Sequence, residues 1–219
     1  MLPSSSFTGQ PVMFINTLLT HPVYFFRVVA IIILSITLHE LAHGVAALSQ
    51  GDDTPRRAGH LTLNPLVHMG WESLLFLCVA GIAWGQMPVN PHKFRSERVS
   101  NMLVSAAGPL SNLALAIGAI AALRLIANTA IAEFISLNFL HLLAQINLTL
   151  FVFNFLPVPP LDGFHFFSEL FPDLKLLEVL PCGLFLLMVL VLLPGFSSNL
   201  AEVAQITVNA ASGVNLMGF

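Results

Sequence analysis

Long apolar runs separated by short polar clusters make up most of the chain, and the length of each run decides what it can form. A helix needs about 20 apolar residues to cross a bilayer. Segment A, from Val23 to Ser49, meets that length, and Gly51-Asp52-Asp53 ends it. Segment C (Glu97 to Ala127), segment D (Ile131 to Leu156) and segment E (Leu176 to Leu193) read the same way. Residues 11–20 are apolar but too short to span, and predict an interfacial or partly inserted helix. Segment B, Trp71 to Val89, is interrupted by Gly81 and Gly85 and stopped by Pro88. Ahead of it, the stretch Gly59–Leu63 alternates like a short strand until Asn64-Pro65 breaks it. The tail from Ser197 is moderately amphipathic and suits a membrane interface. The pattern predicts an all-α integral membrane protein with about four to six transmembrane helices, a re-entrant element and a short strand-like stretch. No soluble insertion, long linker or internal repeat is evident, so residues 1–219 read as a single polytopic domain.

Composition agrees. The chain is 56% hydrophobic and 9% charged, against about 25% charged for a soluble domain, and its mean hydropathy is +0.85. A multi-pass protein of the cell membrane follows. The net charge of −3 is diffuse and no basic patch interleaved with aromatics occurs, which excludes nucleic acid as a partner. Cys78 and Cys182 lie far apart in apolar segments and match no metal spacing; both are expected to pack as small hydrophobes. No Lys or Arg precedes Arg27, so the opening segment lacks a cleaved signal's basic region and is expected to be retained.

Charge also sets an expected topology. Arg56 and Arg57 follow A, whereas Lys93, Arg95 and Arg98 separate B from C. Positive loops prefer the cytoplasm, so both clusters belong on one side, and B must enter and leave there. A then runs outside to inside, C back out, D in again, and Lys175 starts E from the inside. Arg124, near the outer end of C, fits the rule poorly and is expected to snorkel.

Candidate chemistry sits within A. His39-Glu40-Leu41-Ala42-His43 places two imidazoles four residues apart on one helical face, where both can ligate one metal ion. Glu40 between them can deprotonate a metal-bound water. Burying ionisable groups in hydrocarbon costs roughly 2.5–3.5 kcal/mol each, and a bound zinc ion (Zn2+) is the simplest compensation. A pair of hydrogen-bonded core histidines is the plainer alternative.

A second cluster follows D. Three prolines hold Pro157–Pro160 extended, and Asp162-Gly163 then turns the chain into a new helix. Asp162 alone would read as a helix cap. Beside the histidine pair it reads as a third metal ligand, leaving a fourth position for water. His165, one turn on, is expected to pack or hydrogen-bond; His21, His60, His68, His92 and His141 have no motif partner, and Glu133 starts D on the far side. Asn154 serves either as a helix-to-helix hydrogen bond or as a donor to a developing oxyanion. Ser105 to Asn112 is rich in small residues, which suits close packing of helices within a chain or between copies in a homo-oligomer. Pro109 is expected to kink or loosen that helix, and Asn112 to touch a metal ligand.

HELAH in an apolar helix, AGPLSN in a later one and then NFLPVPPLDG together resemble the site-2 protease family of intramembrane zinc metalloproteases. GHLTLNP and PVNPHKFR are similar to its compact branch without a PDZ domain. The resemblance runs from about Ser35 to Leu170. It implies His39, His43 and Asp162 as zinc ligands and Glu40 and Asn154 as catalytic residues. It also implies hydrolysis of peptide bonds in or near the transmembrane segment of a membrane-protein substrate within the lipid bilayer. The alternative is a membrane metal transporter or sensor using the same ligands, which would need polar residues strung across the bilayer.

Overall fold

The computed structural model describes residues 13–133, 135–179 and 183–214. Cys182, the first two residues of the 11–20 segment and the last five of the tail fall outside them. The described residues form ten α-helices: α1 (Asn16–Thr20), α2 (Pro22–Ser49), α3 (Thr54–Arg57), α4 (Pro65–Ala80), α5 (Glu97–Ile126), α6 (Leu137–Asn154), α7 (Asp162–Leu170), α8 (Lys175–Val179), α9 (Gly183–Leu192) and α10 (Phe196–Ser212). Short 3-10 turns join several of them, and there is no strand among the described residues.

Three helices, α2, α5 and α6, are long and apolar enough to cross a membrane. A fourth crossing exists only if α9 and α10 count as one span, and these meet at 69°. Among the described residues the spans, three or at most four, therefore fall at or below the lower end of the four to six expected. Segment E, expected as one span over Leu176–Leu193, corresponds to α8 and α9, and α9 with ten residues is too short to span by itself; Gly195, at φ +85°, then opens α10. Segment D starts later than expected, at Leu137, because Ser136 caps the helix by accepting from the Phe139 N–H. Segments A and C match α2 and α5 to within a residue or so, and α5 runs unbroken through Pro109.

The three spans pack around α5. Its far end meets α6 and α10 through Ala119, Leu123, Ala144 and Val208. Val28 and Ile31 of α2 pack on Leu142 of α6, and Ile36 of α2 packs on Met69 and Leu77 of α4. Around this core, large apolar side chains such as Phe26, Ile117 and Leu125 face outward. Lipid tails are as apolar as leucine, so such a surface is what a membrane protein needs.

Segment B resolves into two different structures. Gly70, at φ +69° and ψ 169°, breaks α4, so only residues 71–80 form a continuous apolar helix. That is about 15 Å of helix, half the thickness of a bilayer's hydrocarbon. Gly81 then reverses the chain in a left-handed conformation, and residues 82–90 run extended back along α4. The Trp84 N–H donates to Ser73 Oγ, which in turn donates to the Trp84 carbonyl. The Gln86 N–H donates to the His68 carbonyl. At the end of the return, the Asn90 N–H donates to Asp52 Oδ2 at 2.6 Å, level with the end of α2.

The strand-like stretch expected at Gly59–Leu63 is a turn followed by a bend. His60 donates to the Pro55 carbonyl and Thr62 to the His60 carbonyl, so these main-chain donors are spent locally and no ladder forms.

Candidate metal centre

α2 carries His39, Glu40 and His43 on its inner face, each about 8% exposed. α5 crosses them so closely that a Cβ on Gly108 would overlap the Nε2 atoms of both imidazoles. Asp162 arrives from the other half of the chain. α6 ends at Asn154, residues 155–161 loop away, and the first turn of α7 folds back onto the main chain of Phe155 and Leu156. Only glycine fits at that contact, because a Cβ on Gly163 would overlap the Phe155 carbonyl group.

These elements bring the three sequence-predicted ligands together. His39 Nε2 lies 3.0 Å from Asp162 Oδ2 and 3.1 Å from His43 Nε2, and His43 Nε2 lies 3.3 Å from Asp162 Oδ2. The other side of each ring is engaged. His43 Nδ1 is 2.7 Å from the Val104 carbonyl, which can only accept, so Nδ1 carries the proton. His39 Nδ1 is 2.6 Å from Asn112 Oδ1, the contact expected of Asn112. With neutral rings, two imidazole lone pairs and a carboxylate oxygen therefore converge on one point.

Three acceptors facing one another repel unless a positive charge lies between them. Their separations fit a single cation. In a tetrahedral site with bonds of about 2.0–2.1 Å, ligand atoms stand about 3.3 Å apart, close to the triangle seen here. The donors, two nitrogens and one oxygen, are those zinc takes. Among the described residues this is the one cluster of three or more His, Cys, Asp or Glu groups spaced to hold a metal.

The cluster opens into a cavity of about 680 Å³, lined among others by Glu40, Trp84, Met87, Asn154 and His165. Gly85 of the extended segment lies against the Glu40 side chain, where a Cβ would overlap it. Asn154 donates one amide N–H to the Leu150 carbonyl at 3.0 Å; its amide has a second N–H. His165 reaches the cavity but not the donor cluster. His68 and His141 are buried elsewhere, and His21, His60 and His92 also lie outside the cluster.

The sequence reading missed three contributors. Asn147 of α6 accepts from Asn112, a pairing that depends on helix register. Residues 82–90 wall the cavity as an extended strip. Asp52, fully buried, ties that strip to α2 through the Asn90 and Thr54 N–H groups. Burial pushes the Asp52 carboxyl up, but bonds from Thr54 and Asn90, with Lys93 nearby, hold it below the ordinary carboxylate value. A Gly-Asp-Asp sequence after a helix signals only a stop, so nothing local marked that role.

Comparison with known proteins agrees with this picture. The model of peptidase family M50 matches residues 119–193, which include Asn154 and Asp162. The Bacillus subtilis (strain 168) protein named "Putative zinc metalloprotease YwhC" is 40% identical over 147 residues, covering 64% of this chain and 67% of that protein. "Putative zinc metalloprotease Rip2" of Mycobacterium tuberculosis (strain ATCC 25618 / H37Rv) is 35% identical over 146 residues. The protein of that name from Mycolicibacterium smegmatis is 33% identical over 148 residues. In both cases the alignment covers 64% of this chain but only 55% of the relative. No solved structure matches the chain.

Proposed function

The chain belongs to peptidase family M50, and from that premise we propose an intramembrane zinc metalloprotease that cuts peptide bonds in or near transmembrane segments of membrane-protein substrates. The observation that carries the proposal is the convergence of His39 Nε2, His43 Nε2 and Asp162 Oδ2 beside Glu40 and Asn154 in one cavity. His39, His43 and Asp162 would hold the metal. When bound, zinc acidifies its water and polarises a substrate carbonyl.

The remaining steps fall to the chain's own side chains. Glu40 takes the proton of the attacking water and returns it to the leaving amine. Asn154, steadied by its bond to Leu150, offers its second N–H to the carbonyl oxygen as negative charge develops there. Partial burial among α2, α5 and α6 lowers the local dielectric, which strengthens both contacts.

The substrate must unwind before it is cut, because a helix hides its carbonyl. The extended strip 82–90 offers a place for the unwound segment. In an extended chain the N–H and C=O of one residue point to one side and those of the next to the other. Trp84, Gln86 and Asn90 bond to the α4 and Asp52 side. Ala83, Gly85, Met87 and Val89 carry no hydrogen bond among the described residues, and all four line the cavity. A substrate strand added to that edge lies next to Glu40. The return of residues 82–90 to Asp52 supports a re-entrant element entering and leaving on the cytoplasmic side, with the protein multi-pass in the cell membrane. The transporter alternative needs a polar path, whereas the buried ionisable groups of α2 span little more than one turn.

Cleavage of single-pass membrane peptides by the purified protein, with and without a chelator, tests the proposal. Glu40→Gln is expected to abolish cleavage while zinc stays bound. Cleavage at the wild-type rate by that variant rules out the role given to Glu40.

A further inference from the structure

Three helices meet in a polar chain that the hydrolysis itself does not use. Asn112 of α5 and Asn147 of α6 have no exposed surface. Asn147 Nδ2 donates to the Leu143 carbonyl, one turn back on its own helix, at 2.9 Å. Its Oδ1 accepts from Asn112 Nδ2 at 3.0 Å. Asn112 Nδ2 also points at the Ser35 carbonyl of α2, 3.5 Å away. Asn112 Oδ1 is then left facing His39 Nδ1 at 2.6 Å.

The direction of every bond in this chain follows from its main-chain ends. A carbonyl only accepts, so the Leu143 carbonyl obliges Asn147 to present Nδ2 to it and Oδ1 to Asn112. Ser35 imposes the same orientation on Asn112 from the α2 side. A flipped Asn112 amide would set its oxygen against Asn147 Oδ1 and the Ser35 carbonyl, and would present Nδ2 to His39, forcing the opposite tautomer on that ring. Buried as it is, that arrangement would leave several polar groups unpaired.

We propose that Asn147 and Asn112 form a positioning relay that fixes the Nδ1-protonated tautomer of His39 and so turns its Nε2 lone pair towards Asp162. The relay rests on the metal-centre reading above. His43 needs no relay, because the Val104 carbonyl sets its tautomer directly. The asymmetry has a structural origin. His43 lies beside an α5 carbonyl, whereas His39 lies beside a side chain whose amide could face either way. An Asn in an apolar span is costly unless bonded, and α6 supplies the bond that gives this one a direction. Asn147 also lies seven residues, two turns, before Asn154 on α6, so one helix face serves both the ligand and the proposed oxyanion donor.

Partners that orient a ligating histidine typically contribute 10–100-fold to metal affinity. The test is zinc affinity of the full-length purified protein, measured by competition with a chromophoric chelator. It is paired with 15N signals of labelled histidine in metal-stripped protein. Asn112→Ala is expected to weaken zinc binding by about 10–100-fold and to mix the His39 tautomers. Asn112→Asp keeps an acceptor for Nδ1–H and is expected to restore most of the affinity. Asn147→Leu, which touches neither ligand nor metal, is expected to shift both readouts in the direction of Asn112→Ala by a smaller amount, with helical content unchanged. Wild-type affinity and a single His39 tautomer in Asn147→Leu would overturn the relay. Should the wild-type protein bind no zinc, the metal-centre reading fails instead, and the histidine signals of metal-free protein still decide the relay.

Discussion

Asp162 Oδ2 lies 3.0 Å from His39 Nε2 although 123 residues separate them in the chain. Neither helix makes that contact by itself. α5 must pass between their elements with nothing larger than glycine at position 108, and α7 must start flush against the end of α6. The donor cluster is thus as much a product of two close approaches as of the ligands.

The first approach predicts an outcome for Gly108→Ala. The added methyl overlaps both imidazoles and pushes α5 from α2. Misplacing reacting groups by about 1 Å costs about 100-fold in rate. Cleavage is expected to fall by at least about that factor, with zinc content reduced in parallel.

The second predicts that Gly163→Ala displaces Asp162 rather than altering the cavity wall. Metal affinity is expected to drop while mature helix content by circular dichroism stays at the wild-type level. A variant that binds zinc normally would show that α7 can shift without carrying Asp162 away.

Asn154→Ala probes the proposed oxyanion donor. Removing one such donor costs about 10²–10³ in kcat. The expected signature is a fall of that size in kcat with KM and zinc content nearly unchanged, measured on a soluble fluorogenic peptide or a reconstituted substrate.

Asp52 gives a pH prediction. Its folded-state value lies below the ordinary 3.8, so its contribution to stability is fully present above about pH 4 and is lost as pH falls through the lowered value. Anchorage of residues 82–90 is therefore expected to persist throughout the neutral and mildly acidic range. Asp52→Ala removes two charge-assisted bonds, each about 1.5–3 kcal/mol, and is expected to speed proteolysis or hydrogen exchange in 82–90 at neutral pH. In wild-type protein the same change should emerge only below pH 4.

What was legible in the sequence follows from how local each signal is. The histidine pair needs only helical spacing, and Asp162, a helix cap by itself, reads as a ligand once that pair stands beside its proline-stiffened approach. Lengths of α2 and α5 were readable because their apolar runs exceed a bilayer's thickness. The division of segment B into a helix and an extended return was not, since a short apolar run carries no period that separates helix from extended chain, and the break at Gly70 just ahead of it depends on packing. Segment E read as one span because its apolar run carries no local signal that divides it, whereas α8 ends at Val179 and α9 begins at Gly183. Asn147 was invisible for another reason: an Asn in an apolar helix states that a partner exists without naming it, and the register of α6 on α5 supplies the name.

Zinc content per chain, by elemental analysis of purified wild type and variants, tests the central claim most directly. The account predicts close to one zinc per chain in wild type and in Glu40→Gln, and close to none in His43→Ala and Asp162→Ala. A full complement of zinc in Asp162→Ala, or none in the wild type, would contradict it.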